Sequence, residues 1–92
     1  MKFRFNEAKD SWLSSNRNVT FEDAIRAVAD GGILADYEHP NRQRYPGQRI
    51  MVVRINGYPH CVPNTVEGET FFLQTVYPSR TFRHLTEGEA HD

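Results

Sequence analysis

The chain holds one cysteine, Cys61, among 92 residues, so no internal disulfide can staple it, as fits a reducing compartment. No stretch approaches the roughly 20 consecutive apolar residues of a membrane helix, and residues 1–10 lack the apolar run of a signal peptide. A cytoplasmic location without membrane attachment is expected. An excess of charge is missing too: 11 Lys and Arg stand against 12 Asp and Glu, a net charge of −1 that argues against a uniformly basic nucleic-acid binder. His39, His60, His84 and Cys61 are scattered without paired ligand spacing, so no metal is expected. Without a glycine-rich phosphate loop, a nucleophile elbow or a dinucleotide fingerprint, no cofactor is expected either. Internal repeats and low-complexity segments are also lacking.

What is present suits one small globular domain. Hydrophobic residues make up 38% and aromatics 12% of the chain. A chain of this mass hides roughly 65% of its unfolded surface on folding, enough for one thin sheet-plus-helix core. The charge is unevenly spread. Residues 37–86 carry six Arg and three Glu, and residues 87–92 carry three acids. The reading is therefore a domain over residues 1–86 followed by an acidic tail over 87–92. Arg42, Arg44, Arg49 and Arg54 follow one another with no acid between, a stretch suited either to phosphate or to a solvated loop.

Local patterns give the order of elements. Lys2 and Arg4 alternate with Phe3 and Phe5, the period of a short half-buried strand. Asn6 offers a helix N-cap and Glu7 a first-turn acid. The helix should run to about Ser15, with Ala8, Trp12 and Leu13 as its apolar stripe, which places Trp12 in the core. Thr20 and Asp23 form a capping box, and Phe21, Ala24, Ile25 and Val28 follow at amphipathic spacing until Gly31 and Gly32 end the helix. A strand can begin over 33–38, and the turn formers of 39–48 predict an exposed loop.

Asn56-Gly57 between two apolar runs is a strong hairpin signal, pairing Ile55 with Tyr58, Val53 with His60 and Met51 with Val62. His60 is then a hydrogen-bonded or half-buried residue and Cys61 a small buried hydrophobe. Pro59 and Pro63 lack N–H groups on the strand's outer side, so pairing there must be irregular. Residues 70–77 read as a further strand stopped by Pro78, and a helical turn around Phe82 and Leu85 closes the pattern. The fold class is α+β: a short N-terminal strand, two helices, then an antiparallel sheet of three or four strands with the helices on one face and the other left for binding.

Arg, His, Glu and Tyr suffice for metal-free RNA cleavage. That reaction needs a base for the 2′-hydroxyl proton, an acid for the departing 5′-oxygen and cations for the phosphorane. Glu38 and His39 adjoin the strand end and loop, where either could be the proton carrier or a plain surface residue. Arg80, after Tyr77-Pro78-Ser79, could hold phosphate, cap carbonyls or pair with a tail acid; Arg83 and His84 are further candidates.

Taken in order, F-x-F-N-E-A-K, V-T-F-E-D-A, A-D-G-G-I-L, D-Y-E-H-P-N, R-Y-P-G-Q-R-I, I-N-G-Y and Y-P-S-R resemble the small BrnT-type toxins of bacterial type II toxin–antitoxin pairs over residues 3 to 80. The resemblance implies a RelE-like fold and a sequence-flexible endoribonuclease that inhibits translation until a cognate antitoxin covers it. Lys9 matches that family's first-helix lysine, Phe21 and Glu22 its second helix, Arg80 the arginine after the last strand, and Arg49 a customary basic position. The link between the helices reads S-N-R-N where such chains carry K-H-G, and Thr81 replaces a basic residue.

The expectation is a toxin in which Arg49 and Arg80 hold the scissile phosphate and Glu38 or His39 moves protons. Lys9, Arg42, Arg44, Arg54, Arg83 and His84 then assist RNA binding, with the ribosome positioning the message and no cofactor involved. Its partners are RNA and an antitoxin protein in a hetero-oligomer. The alternatives are a non-enzymatic protein-binding module, built on Tyr and Arg anchors or strand addition, and a degenerate toxin.

Overall fold

A computed structural model describes residues 1–86; the acidic segment over 87–92 lies outside the described residues. The sheet grows from the hairpin of β3 (Gln48–Ile55) and β4 (Tyr58–Glu67). Asn56 and Gly57 have φ of 52° and 76°, the two left-handed residues of a type I′ turn, whose twist matches that of the strands. The turn fixes the register: Ile55 faces Tyr58, Val53 faces His60 and Met51 faces Val62, as the two-residue connection predicts. β2 (Ile33–Glu38) pairs antiparallel with β3 on its far side, after a register shift between Ile33 and Ala35.

The outer side of β4 is divided, as its prolines require. Pro59 and Pro63 offer only carbonyls there, and these accept from Ser79 N–H at 3.0 Å and Gln74 N–H at 2.8 Å. β5 (Thr70–Leu73) pairs with Asn64–Glu67, and β6 (Tyr77–Pro78) pairs with His60 and Cys61. The strand expected over 70–77 is thus two strands, and the break between them sinks Val76 fully into the core.

β1 (Lys2–Arg4) lies parallel to β5, Lys2 opposite Thr70, so the sheet has six strands and is mixed. Three or four antiparallel strands were expected because alternation marks a strand without naming its neighbour. Aromatic burial supplies the missing term: Phe3 meets Phe71 with ring centroids 5.6 Å apart, and Phe5 stacks on Phe21 at 4.8 Å.

α1 (Glu7–Arg17) begins as predicted, with Asn6 Oδ1 accepting from Lys9 N–H at 2.9 Å, and runs beyond Ser15 to a left-handed Asn18. Its expected stripe is corrected. Only Leu13 is buried; Ala8 is exposed and Trp12 is 43% exposed. A helix laid along one narrow line of contact buries one row of side chains, and Leu13 fills it. α2 (Phe21–Ala29) has the capping box of Thr20 and Asp23 and buries Phe21, Ala24 and Ala27, with Ile25 and Val28 packed alongside. Asp10 of α1 also accepts from Phe21 N–H at 2.8 Å, so one helix caps the other. Gly31 (φ 75°) and Gly32 close α2 by donating to Val28 O and Ala27 O, a Schellman motif.

These helices cover one face of the sheet, where Leu13, Phe21, Met51, Val53, Val62 and Val76 form the main core. The other face is not left open, contrary to the sequence reading. Ile50, Val52 and Cys61 are buried there beneath Tyr37, Tyr77, Phe82 and Leu85, the last two delivered by a 3-10 turn (Arg80–Phe82) and the residues after it. Burial first, and then Cys61 through its charge and a hydrogen bond, push the Tyr77 hydroxyl up to about 12; burial likewise raises Tyr37. His60 is half-buried, its Nδ1 2.9 Å from Tyr58 O.

Candidate functional site

Polar side chains gather at the ends of β2 and β3 remote from the hairpin turn. Glu38 sits opposite Arg49, and Arg49 opposite Asn64, so all three share the helix-bearing face. Asp36 lies on that face two residues back, and its Oδ1 accepts from Arg49 Nε at 3.1 Å. Glu38 Oε2 accepts from Arg42 Nη1 at 2.6 Å. Two ion pairs therefore stand side by side across the strand ends.

The β2–β3 loop is built on Asn41, whose carbonyl accepts from Tyr45 N–H and whose Oδ1 accepts from Arg44 N–H; Gly47 then adopts φ 74° to enter β3. This fold-back lays His39 against Tyr45, centroids 4.4 Å apart, with the Arg44 guanidinium 5.7 Å from the Tyr45 ring. His39 Nδ1 accepts from Asn41 N–H at 3.1 Å, so the ring proton resides on Nε2. The walls enclose a cleft of about 500 Å³ lined by Glu38, Arg42, Tyr45, Gln48, Arg49 and Val66, with Pro46 and Gly47 at its lip.

The charged groups of the cleft are paired rather than free. Arg42 is paired with Glu38 and Arg49 with Asp36, while Arg44 lies against the Tyr45 ring outside the cleft. The Arg42–Glu38 side chains are 74% and 55% exposed, and a pair so open to water is worth only about 0–1 kcal/mol.

The four expected catalytic residues are not brought together. Glu38 and Arg49 line the cleft, and His39 lies behind its wall against the Tyr45 ring. Arg80 follows Ser79, which is bonded to Pro59, and belongs to the turn that carries Phe82 over the opposite face. Pro59 and Asn64, the partner of Arg49, are five residues apart on β4, roughly 17 Å at about 3.4 Å per residue.

Among the expected RNA contacts, Arg42 lines the cleft and Arg44 flanks it, whereas Lys9 lies on α1 over Trp12. Arg54 lines a separate hollow near the hairpin turn with Asp23, Arg26 and Asp30. Arg83 and the exposed His84 follow the 3-10 turn. Sequence reasoning missed Asp36 as the partner of Arg49, and Tyr45 and Val66 as cleft residues. Period-2 spacing of Asp36 and Glu38 was the available signal for the first; the other two arrive through loop folding and strand register.

Fold and site together define an α+β protein with an open polar cleft, lined by Glu38, Arg42 and Arg49, at one end of a mixed sheet. No described helix is long and apolar enough to cross a membrane. Among the described residues, no group of three or more His, Cys, Asp and Glu could hold a metal ion. Compared with protein-family models, curated proteins and solved structures, the chain shows no match.

Proposed function

We propose that this chain is the toxin of a bacterial toxin–antitoxin pair, a cytoplasmic endoribonuclease that cleaves messenger RNA without metal until a cognate antitoxin covers it. The observation that carries the reading is the meeting of Glu38 with Arg42 and Arg49 in one nucleotide-sized cleft. Support also comes from the resemblance to BrnT-type toxins.

The chemistry follows from the residues. Arg49 and Arg42 hold the scissile phosphate, and Arg42 in doing so leaves Glu38. The Glu38 carboxylate takes the proton from the 2′-hydroxyl as its oxygen attacks phosphorus. The arginines stabilise charge on the phosphorane, the P–O5′ bond breaks, and the 5′-oxygen takes a proton from water in the open cleft. The products are a 2′,3′-cyclic phosphate and a 5′-hydroxyl. An open cleft gains from a ribosome that orients the message.

The test is tightly induced expression in a bacterial host with sequencing of RNA 5′ ends, beside Glu38→Gln and Arg49→Ala. Growth arrest with new ends that vanish in both variants is expected. Arrest without cuts would reject the mechanism, and normal growth with unchanged RNA would reassign the cleft to a protein-binding module.

A further inference from the structure

We propose that Trp12, with Lys9 and Arg17, forms a second contact for single-stranded RNA on α1, an unpaired base stacking on the indole while the two cations meet its phosphates. The inference rests on RNA being the ligand of this chain but not on catalysis at the cleft.

Trp12 is the only tryptophan of the chain, and the fold does not use it as core: Leu13 fills the buried row of α1 while Trp12 stays 43% exposed. Both cations already lie against the ring, Lys9 Nζ at 4.2 Å and Arg17 Cζ at 4.9 Å from its centroid. Their anchorage differs. Arg17 is pinned through Nη1 to Val76 O at 2.9 Å and Thr75 Oγ1 at 3.1 Å, leaving the rest of its fork for a ligand. Lys9 is in no ion pair among the described residues and can swing from the ring to a phosphate, giving its place to a base.

The neighbourhood favours RNA over a protein. Around Trp12 the exposed helix surface carries Ser11, Ser15 and Asn16, and the nearby Asp10 carboxylate is committed to Phe21 N–H. A protein interface draws on a contiguous apolar patch, which this isolated indole lacks. A lone aromatic between two cations is instead the combination that grips unpaired nucleotides, stacking for the base and charge for the backbone. A duplex hides its base faces and is excluded from such a site.

Because Trp12 is the sole tryptophan, its fluorescence reads the site directly. The full chain carrying Arg49→Ala, which disables the cleft, is titrated with a short 2′-O-methyl single-stranded oligonucleotide, with its abasic analogue and with the matching duplex. Quenching by the single strand, and not by the abasic analogue or the duplex, is expected. In anisotropy with the same labelled oligonucleotide, Trp12→Ala should weaken binding by roughly 5- to 100-fold and Trp12→Phe should restore most of it.

Equal quenching by the abasic analogue would reduce the contact to backbone charge and overturn the stacking. Absence of quenching, together with wild-type binding by Trp12→Ala, would overturn the inference outright even if the wild-type chain cleaves RNA. Quenching without any cleavage by the wild-type chain would sustain this site while the proposed ribonuclease activity fails.

Discussion

The two ends of β3 are made of the same strand and behave in opposite ways. At the turn end the chain is drawn tight: Asn56 and Gly57 occupy left-handed backbone, Pro59 is buried, and Ile55 closes the core. At the loop end residues 39–47 fold back through hydrogen bonds to Asn41, and the charged side chains of the strand ends and loop are paired in water. One end fixes register; the other spends that rigidity on holding four ionic groups at set positions. Rigid strands carrying a polar cluster at their ends are a common way to place chemistry on a small scaffold.

Substitutions at either end sharpen this contrast. The largest effect is expected at the loop end, where Arg49→Ala should lower RNA cleavage about 10²- to 10³-fold, the loss typical for one transition-state donor. Thermal unfolding should barely move, because the Asp36 pair it breaks is a surface pair worth about 0–1 kcal/mol. At the turn end the balance reverses: Gly57→Val forces a β-branched residue to φ 76° and should cost roughly 1–2 kcal/mol in denaturant unfolding. Cleavage per folded molecule should be unchanged, and a variant that lost activity at full foldedness would break the division between the ends.

Smaller effects follow. Arg42→Ala should leave stability within about 1 kcal/mol while lowering the salt dependence of RNA binding by roughly 0.7 in log–log slope, one phosphate contact on a single strand. On the far face, the raised Tyr77 hydroxyl ionises in the unfolded chain near its ordinary 10 and in the folded chain only near about 12. Its contribution to stability is therefore complete below about pH 10 and lost as pH climbs toward 12. Urea titrations across that interval should show the decline, and Tyr77→Phe should flatten it.

Local chemistry explains why some of this was legible in the sequence. Asn6, the Thr20–Asp23 box, Gly31 and the Asn56-Gly57 turn each act within a few residues, so their signals sit intact in the chain. So does the β4 proline pattern, which announced an irregular outer side without saying that two strands would share it. What could not be read depends on distant partners. The parallel seat of β1, the Phe82 cover over Cys61 and the exposure of Trp12 are set by residues far along the chain. For the site, adjacent Glu38 and His39 were visible as a strand-end pair, and Arg42, Arg44 and Arg49 as a basic run. The separation of Arg80 was not visible, because sequence order gives no measure of which face a returning segment crosses.

The parallel seat of β1 also bears on how the protein is born. Its partner β5 is translated long after it, since Lys2 waits for Thr70. Helices and hairpin can form locally as they emerge, but the sheet edge beside Phe3 stays unfilled until the late strand arrives, the slow closure expected of distant pairing. During synthesis the nascent chain therefore carries its charged strand ends on an unfinished scaffold until β5 has been made.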